Sequence, residues 1–366
     1  MKLIVMAGGI GSKLWPVSRD DFPKQFIPII DEKTLFQLNV EALLLKYKPS
    51  DIFISIAEHY IKYMKEQAPM IPEENYIIEP QLGKGTGPAS GFAMLKVGMK
   101  YPDEVVMFYV QPVVVREPAE KYVEMIDGIE KTVKATGKFV TGGRALEFVD
   151  VGSDSLQLGK KIETNTGLDI YEISKFVHIV DRMLSAEEAQ KVYMEKDMIV
   201  HCNHYTWTPN KLLNAFKEIR SDWYDILMEI KKVIGTNDEY EKVCKIYSKF
   251  EVGRIEELTE TLFNTNRALV VKLPFYWEHI TTWENVYQYL LKNNKEKIIK
   301  KNVITLDCNG NLVMGDSKRV VAMIDVNNTV VIDTNDTLFI CPRNKVGKIK
   351  ELLTIMEKDP ILKDKL

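Results

Sequence analysis

Residues 3–26 read LIVMAGGIGSKLWPVSRDDFPKQF, and this stretch predicts how the chain begins to fold. Residues 3–7 have the length and β-branched content of a buried strand. They run directly into Gly8, Gly9 and Gly11. Glycine lets the backbone turn sharply and come close to a ligand, because no Cβ stands in the way. The backbone N–H groups of such a turn are then available to phosphate oxygens.

Two lysines follow the glycines. Lys13 comes two residues after Gly11, and Lys24 comes directly after Pro23, whose ring fixes the local direction of the chain. Glycines with nearby cations predict a loop that holds a nucleoside triphosphate, although the glycines alone also suit a tight turn with no ligand. The spacing excludes both the Walker loop G-x-x-x-x-G-K-[ST] and the dinucleotide motif G-x-G-x-x-G.

The full stretch resembles the opening motif of the sugar-1-phosphate nucleotidyltransferases, Gly-Gly-x-Gly-x-Arg-Leu-x-Pro followed by Pro-Lys. Its Leu-Trp-Pro-x-Ser-Arg and Pro-Lys-Gln-Phe forms resemble the mannose-1-phosphate guanylyltransferase family, with matches at residues 14–16, 18–19 and 23–26. Lys13 stands where that family carries Arg. The resemblance implies that Ala7, Gly8, Gly9 and Gly11 bind the nucleotide, and that Lys13 and Lys24 are catalytic.

Composition sets broad limits on function. The chain has 366 residues with 45% hydrophobic content, enough for one large core and a smaller second unit. A net charge of −3 gives no sign of a nucleic-acid or membrane surface. The start MKLIVMAGG reads as a first strand rather than a signal peptide. The four cysteines form no C-x-x-C pair, which favours reduced thiols in a cytoplasmic protein.

Strand-like and helical patterns alternate through the first half of the chain. Strands are predicted at residues 3–7, 52–56, 76–78 and 105–110, and helices at 34–46, 60–67, 88–100, 185–195 and 210–234. This alternation predicts an α/β, Rossmann-like fold with a mostly parallel sheet and helices on both faces. Ligands in such sheets bind at the carboxyl ends of the strands, where the glycine loop is expected.

The pattern changes after about residue 300. Short β-rich runs at 303–306, 311–314, 320–326, 329–333 and 337–340 are separated by Asn, Asp and Gly turns, and a helix is predicted at 345–356. Regular spacing of this kind favours a small β unit such as a short β-solenoid. We therefore predict a nucleotidyltransferase domain at 1–295 and a C-terminal β unit at 296–366. The resemblance implies that this unit is a left-handed β-helix piece, which often mediates dimerisation in the family.

A second segment carries the resemblance further. Residues 77–90, IIEPQLGKGTGPAS, resemble the family segment Glu-Pro-x-x-Arg-Asn-Thr-Ala-Pro, whose loop lies against the nucleotide base. The resemblance implies that Glu79, Lys84 and Thr86 bind the nucleotide. Lys84 and Gly85 stand where Arg and Asn are usual. The alternative is that these glycines and prolines serve only the turn and the first turn of a helix.

The resemblance weakens at the positions of the metal ligands. Active members use Mg²⁺, which prefers carboxylate oxygen. One family Asp lies in a Pro-x-Asp-His motif, where this chain has Val114 and Val115, and a second lies in Trp-x-Asp-x-Gly-x-Trp, where it has His279. Glu278 is adjacent, but neighbouring side chains on a strand face opposite ways. We therefore predict no metal ligand, and we favour a His279 that is satisfied by local hydrogen bonds.

The sugar motifs are also altered. The family run Pro-x-Thr-Gly-Tyr-Gly-Tyr-Ile corresponds to residues 148–158, where Gly152 survives, and Trp-Asn-Ser-Gly-Met-Phe corresponds to 202–207, where Asn203 survives. The resemblance implies that Gly152 and Asn203 contact the sugar. The Glu-Lys pair of a third sugar motif is absent at 178–179.

Three functions remain open from the sequence. The first is an enzyme that makes GDP-mannose and pyrophosphate from GTP and mannose 1-phosphate, with Mg²⁺ as its cofactor. The second is a homologue that binds or senses a nucleotide or nucleotide sugar without turnover. The third is a nucleotidyltransferase for another sugar phosphate. The expected partners are a nucleotide, a sugar 1-phosphate and either a second copy of the chain or an active homologue.

Overall fold

The computed structural model describes residues 1–9, 11–145, 154–177, 197–295 and 302–366. Its strands are β1 (Lys2–Met6), β2 (Ile52–Ile56), β3 (Tyr76–Ile78), β4 (Val106–Val110), β5 (Val114–Glu117), β6 (Phe139–Ala145), β7 (Ser155–Ile162), β8 (Ile170–Val177), β9 (Met198–His201), β10 (Thr206–Trp207), β11 (Ala268–Lys272), β12 (Tyr276–His279), β13 (Val303–Leu306), β14 (Leu312–Met314), β15 (Val321–Ile324), β16 (Thr329–Asp333) and β17 (Leu338–Pro342). Its helices are α1 (Leu35–Leu44), α2 (Ile61–Gln67), α3 (Thr86–Gly98), α4 (Ala119–Thr136), α5 (Pro209–Ile219), α6 (Ser221–Val233), α7 (Glu239–Tyr247), α8 (Glu256–Asn264), α9 (Trp283–Lys292) and α10 (Ile349–Met356).

The large sheet confirms the predicted α/β fold. Its strand order is β11-β8-β7-β9-β6-β10-β4-β1-β2-β3, and β1 is parallel to both β2 and β4, while β2 is parallel to β3. Every side chain of β2 is buried, as expected for a parallel strand covered on both faces. These parallel strands carry the glycine loop at the carboxyl end of β1.

Antiparallel pairs occupy the other half of the sheet. The short strand β10 lies between β4 and β6 and is antiparallel to both. The strands β7 and β8 pair as an antiparallel ribbon, and β11 is parallel to β6 but antiparallel to β8. This half therefore combines one parallel pairing with several antiparallel ones.

A separate two-stranded ribbon lies beside the glycine loop. Its strands β5 and β12 are antiparallel, and their register sets Val114 directly opposite His279. The strand β5 follows β4 after a three-residue connection at 111–113. The two positions at which the family resemblance expects carboxylates are therefore neighbours in space.

The C-terminal strands form the predicted small β unit. The strand β13 pairs in parallel with β15, and β14 pairs in parallel with β16. Val303 pairs with Val321 and Leu312 with Val330, a constant offset of 18 residues. A fixed offset means that each turn of chain stacks on the previous one, as in a solenoid. The predicted terminal helix is a 3₁₀ segment at Arg343–Lys348 followed by α10.

A second apolar core joins the N-terminal loop to this β unit. Trp15 packs edge-on against Phe339, with ring centroids 5.8 Å apart, and its indole N–H donates to the carbonyl of Lys365 at 2.8 Å. The indole N–H of Trp283 donates to the carbonyl of Trp15 at 2.9 Å. The contacts of Trp15 with Phe339 and Lys365 cross the predicted boundary between residues 295 and 296. The division into two domains stays a prediction, and residues 296–301 lie outside the described ranges.

The predicted helices of the first half are present within two residues at most ends. The predicted helix at 210–234 is two helices, α5 and α6, because Arg220 between them has a non-helical backbone, with a φ of −133° and a ψ of 64°. The predicted helix at 185–195 lies outside the described residues. In the described ranges, no helix has both the length and the apolar character needed to cross a membrane.

Candidate functional site

The glycine turn lies at the carboxyl end of β1, as the sequence predicts. A single 3₁₀ turn spans Ser12–Leu14, and Gly11 precedes it with a φ of +79°. Residues with a Cβ rarely adopt this left-handed conformation. A Cβ on Gly11 would also lie 2.6 Å from Cγ of Lys24. Glycine is therefore required here both by the backbone angle and by the close approach of Lys24.

Gln25 holds the turn in place. Its side-chain amide donates to the carbonyl of Ala7 at 2.7 Å and to the carbonyl of Gly9 at 2.9 Å. The side chain is buried, so these bonds are shielded from water. The sequence comparison matched Gln25 as part of Pro-Lys-Gln-Phe but gave it no role, and that match was the one available signal.

A cavity of about 480 Å³ opens in front of the glycine turn. This volume is in the range of small-molecule sites. The predicted nucleotide residues that line it are Gly8, Gly9, Gly11, Lys24, Glu79, Lys84 and Thr86. Ala7 is fully buried and Lys13 is exposed, and neither is part of the lining. Tyr109, Gln111 and His279 also line the cavity.

Glu79 is the carboxylate of the cavity wall. It accepts long hydrogen bonds, both 3.4 Å, from the hydroxyls of Ser55 and Tyr247. Burial raises the pKa of Glu79 to about 7, against the lowering effect of those two hydrogen bonds. A Cβ on Gly8 would lie 3.0 Å from Oε2 of Glu79, so the glycine turn and this carboxylate are in close contact.

The segment that contains Lys84 and Thr86 is fixed by a second loop. The carbonyl of Lys84 accepts the N–H of Gly253 at 3.0 Å, and the hydroxyl of Thr86 accepts the N–H of Ile255 at 3.0 Å. Gly85 has a φ of +88°, and a Cβ there would lie 2.4 Å from the carbonyl oxygen of Gly253. This contact explains the glycine at the position where the family resemblance expects Asn.

Lys24 brings a positive charge to the cavity. Burial, with Lys13 as a second contribution, lowers the pKa of Lys24 to about 8. The ammonium group is therefore mostly charged at neutral pH. Charge that has lost part of its hydration interacts more strongly with an anion than charge in bulk water.

His279 replaces a carboxylate in the cavity wall. Burial first, and then the charges of Lys24, Arg116 and Lys13, lower the pKa of His279 to about 3. The imidazole is therefore neutral at physiological pH. Val114, directly across the ribbon, is buried and apolar. Neither position supplies the negative oxygen that the family resemblance expects.

Arg116 is a buried cation that the sequence comparison did not single out. Its Nε donates to Nε2 of His204 at 3.3 Å, and one terminal nitrogen donates to the carbonyl of Gln111 at 3.1 Å and to Oδ1 of Asn39. The guanidinium also lies over the ring of Tyr122, 4.8 Å from its centroid. None of these recorded partners is a carboxylate. Burial lowers the pKa of Arg116, yet an arginine stays charged in proteins.

The residues at the metal position do not fit Mg²⁺. Val114 has no donor atom, and a histidine nitrogen is a poor ligand for a hard cation. Within the described ranges, His, Cys, Asp and Glu side chains form no group of three or more that could hold a metal ion. A cation site built from protein carboxylates is therefore not supported in this part of the chain.

Asn203, which is predicted to contact the sugar, is not brought into this cavity. The carbonyl of Asn203 accepts hydrogen bonds from the N–H of Gly142 and the hydroxyl of Thr141, both at 2.6 Å, and Asn203 has a φ of +59°. It is not among the lining residues. Gly152 and the altered motif at 178–179 lie outside the described residues. The sugar roles of Gly152 and Asn203 stay predictions.

Two known families match separate parts of the chain. The Nucleotidyl transferase family matches residues 2–149, which contain the glycine turn and most of the cavity wall. The MannoseP isomerase/GMP-like beta-helix domain matches residues 301–355, the stacked β unit. The first match therefore falls on the α/β part of the structure and the second on its C-terminal β unit.

Curated relatives extend over nearly the whole chain. The alginate biosynthesis protein AlgA of Pseudomonas putida is 24% identical over 370 residues, covering 97% of this chain and 71% of that protein. A mannose-1-phosphate guanylyltransferase of Escherichia coli is 23% identical over 360 residues, covering 96% of this chain and 74% of that protein. The chain therefore carries both of these family domains and is similar, over nearly its whole length, to mannose-1-phosphate guanylyltransferases.

A solved structure has the same fold over nearly the whole chain. The crystal structure of a protein from Thermus thermophilus, described as a mannose-1-phosphate geranyltransferase, superposes with a TM-score of 0.80. It is 20% identical, and the superposition covers 97% of this chain and 99% of that one. The two proteins therefore share a fold.

Proposed function

We propose that the protein binds a guanine nucleotide in the 480 Å³ cavity and acts as a guanylyltransferase on GTP and mannose 1-phosphate. The products are GDP-mannose and pyrophosphate. The observation that carries the proposal is that the glycine turn, Lys24 and the carboxylate of Glu79 line the same cavity. The names of the curated relatives support the choice of reaction.

The phosphate end of the nucleotide lies at the glycine turn in this proposal. Backbone N–H groups at Gly9 and Gly11 bind phosphate oxygens, while Gly8 lies beside Glu79 towards the base end, and the Gln25 amide keeps the turn in its shape. Lys24 stabilises negative charge at the α-phosphate, and the exposed Lys13 contributes from the mouth of the cavity. A lysine supplies charge without the two-pronged geometry of arginine, so Lys13 is expected to bind phosphate less specifically than the family Arg.

The base end lies against the segment from Glu79 to Thr86. An ionised carboxylate offers two acceptor oxygens, which match the N1–H and N2–H donors of guanine. Among the described lining residues, which include Tyr109 and Lys84, Glu79 is the one carboxylate and so the one charged acceptor. This chemistry supports guanine over a base that lacks adjacent donors.

A second function is favoured by one observation, the pairing of Val114 with a neutral His279. The loss of metal-binding charge typically removes on the order of 3 kcal/mol or more of transition-state stabilisation. The protein would then bind GTP or GDP-mannose without turnover, in the cytoplasm, as a homodimer or paired with an active homologue.

Release of pyrophosphate separates these functions. The assay uses GTP, mannose 1-phosphate and either Mg²⁺ or Mn²⁺, with other sugar 1-phosphates in parallel, and calorimetry measures binding of GTP and GDP-mannose. Turnover with mannose 1-phosphate supports the transferase, and turnover only with another sugar phosphate reassigns the substrate. Binding without turnover supports the second function. Absence of both overturns the proposal.

A further inference from the structure

We propose that this cavity binds the polyphosphate of its nucleotide without a protein-bound divalent metal ion, with the guanidinium of Arg116 and the ammonium of Lys24 supplying fixed positive charge in its place. The inference rests on the proposed nucleotide site but goes beyond it. It assigns a role to Arg116 and predicts a metal dependence opposite to that of the family.

The donor atoms at this position argue against a bound Mg²⁺. Val114 and His279 face each other across the ribbon, and together they offer one neutral ring and one alkyl side chain. Glu278 is next to His279 on the same strand, so its side chain projects from the other face. Glu79 lies at the glycine turn and accepts from Ser55 and Tyr247.

The charges around this position argue for a polyanion. Arg116 comes two residues after Val114 on β5, so the two side chains project from the same face of the strand. Its guanidinium donates to the carbonyl of Gln111, which lines the cavity. Arg116, Lys24 and Lys13 all act electrostatically on His279. A divalent cation at the same place would be repelled by these positive groups.

Arg116 is also held rigidly. Asn39 on α1, His204 and the ring of Tyr122 on α4 contact the guanidinium from different elements. A buried charge is costly unless another group compensates it, and its recorded partners here are neutral. Arg116 is not itself among the lining residues but contacts Gln111, which is, so a phosphate anion in the cavity would compensate its charge through the electrostatic field rather than by direct contact.

The energetic consequence has a definite sign. Free nucleoside triphosphate carries more negative charge than its Mg²⁺ complex. Fixed cations at a partly desolvated site therefore favour the metal-free form, whereas a site built around a shared Mg²⁺ requires the complex. The ratio of affinities with and without Mg²⁺ reports this difference directly, and a purely structural role of Arg116 would not change that ratio.

The test is a calorimetric titration of the full chain with GTP in EDTA and in excess Mg²⁺ at matched ionic strength. We expect binding in EDTA to be at least as tight as in Mg²⁺. Binding that is tenfold or more tighter in Mg²⁺ would overturn the inference while leaving the nucleotide site standing. Absence of binding in both buffers would overturn the proposed site and the inference together.

Two variants sharpen this test. Arg116→Gln should weaken metal-free binding by about tenfold or more, the electrostatic effect expected when one buried positive charge near a bound polyanion is removed. Arg267→Gln, on a surface arginine paired with Glu218, is the matched control and should bind as the parent does. Thermal melting establishes that both variants fold. Equal affinity of Arg116→Gln and the parent in EDTA would contradict the inference.

His279→Asp keeps the test decisive if Arg116→Gln does not fold. This change restores a carboxylate in the cavity wall and leaves Arg116 in place. We expect weaker binding in EDTA and an affinity that now increases with Mg²⁺. If the ratio of the two affinities is the same in this variant as in the parent, protein-borne charge does not determine the metal dependence and the inference is wrong.

Discussion

The guanidinium of Arg19 makes two hydrogen bonds to the carboxylate of Asp336, at 2.9 and 2.6 Å. This pair joins the segment that follows the glycine turn to the C-terminal β unit. The hydrogen bonds from Arg19, which have the larger effect, and from Lys365 hold the pKa of Asp336 well below its usual range. A two-pronged pair of this kind orients the two parts of the chain as well as attracting them.

The Arg19–Asp336 pair predicts a pH-dependent contribution to stability. Because the pKa of Asp336 is depressed in the folded state, its contribution is present above the unfolded pKa of about 4 and disappears as the pH falls below that value. Asp336→Asn should lower the free energy of unfolding near pH 7 by less than about 1 kcal/mol, because the pair is partly exposed. Urea denaturation at several pH values measures this.

Glu351→Gln, on the exposed side of α10, is the matched control and should leave stability unchanged. The difference between Asp336→Asn and the parent should shrink in acid. A difference that stays constant from pH 7 to the acid limit of folding would show that the carboxylate charge is not its origin.

Gly11→Ala should destabilise the protein. The residue has a φ of +79°, and its new Cβ would lie 2.6 Å from Cγ of Lys24. We expect a loss of about 1–3 kcal/mol, the usual cost of a non-glycine residue in a strained conformation. Gly9→Ala is the matched control, because a Cβ there has no atom within 4 Å. Chemical denaturation of both variants tests this, and equal stability would contradict it.

Lys24→Gln should weaken triphosphate binding by about tenfold or more, because a charged hydrogen-bond donor is lost. The pKa of Lys24 is lowered to about 8, so the parent should lose affinity for GTP as the pH rises through 8. The variant should lack this decline. Lys231→Gln on exposed α6 surface is the control. Calorimetry from pH 7 to 9 measures both affinities. A parallel decline in the GTP affinity of the parent and of Lys24→Gln would contradict this role.

Glu79→Gln should reduce the preference for guanine over hypoxanthine. The carboxylate form accepts from both N1–H and N2–H of guanine, and inosine triphosphate lacks the second donor. Burial raises the pKa of Glu79 to about 7, so the protonated form dominates below 7 and the carboxylate above it. The ratio of GTP to inosine triphosphate affinity should therefore rise between pH 6 and 8 in the parent only.

Both nucleotides are titrated at each pH. Because their triphosphates ionise alike, the ratio of the two affinities does not depend on that ionisation. Glu58→Gln, at an exposed position, is the control and should keep the parent profile. A ratio that is flat with pH in the parent would remove Glu79 from base recognition.

Sequence reasoning located elements well where turn residues bound a short β-rich run. The strands β2, β3, β13 and β16 have the predicted bounds, since each is a short β-rich run between turn residues. The predicted single helix at 210–234 is wrong at Arg220, whose side chain makes contacts that a helical pattern does not reveal. Arg220 stacks on Trp223, 3.7 Å from its ring centroid, and pairs with Glu257 on another helix.

The candidate site shows the same limit. The glycine turn and Lys24 follow from a local motif, and both line the cavity. The close pairing of Val114 with His279 depends on residues 165 positions apart that meet only in the β5–β12 ribbon. Arg116 carries no local signal at all, because its partners Asn39 and His204 come from distant parts of the chain.

The packing of Trp15 between Phe339 and the C-terminal backbone links the cavity loop to the C-terminal β unit. The loop that contains Trp15 begins at the cavity and ends on the β unit, so its conformation enters both equilibria. Thermodynamic reciprocity then applies: a nucleotide that strengthens docking of the β unit by some factor is itself bound more tightly, by the same factor, when that unit is docked. Docking of the β unit would then act on nucleotide affinity as an allosteric effector does, from within the same chain.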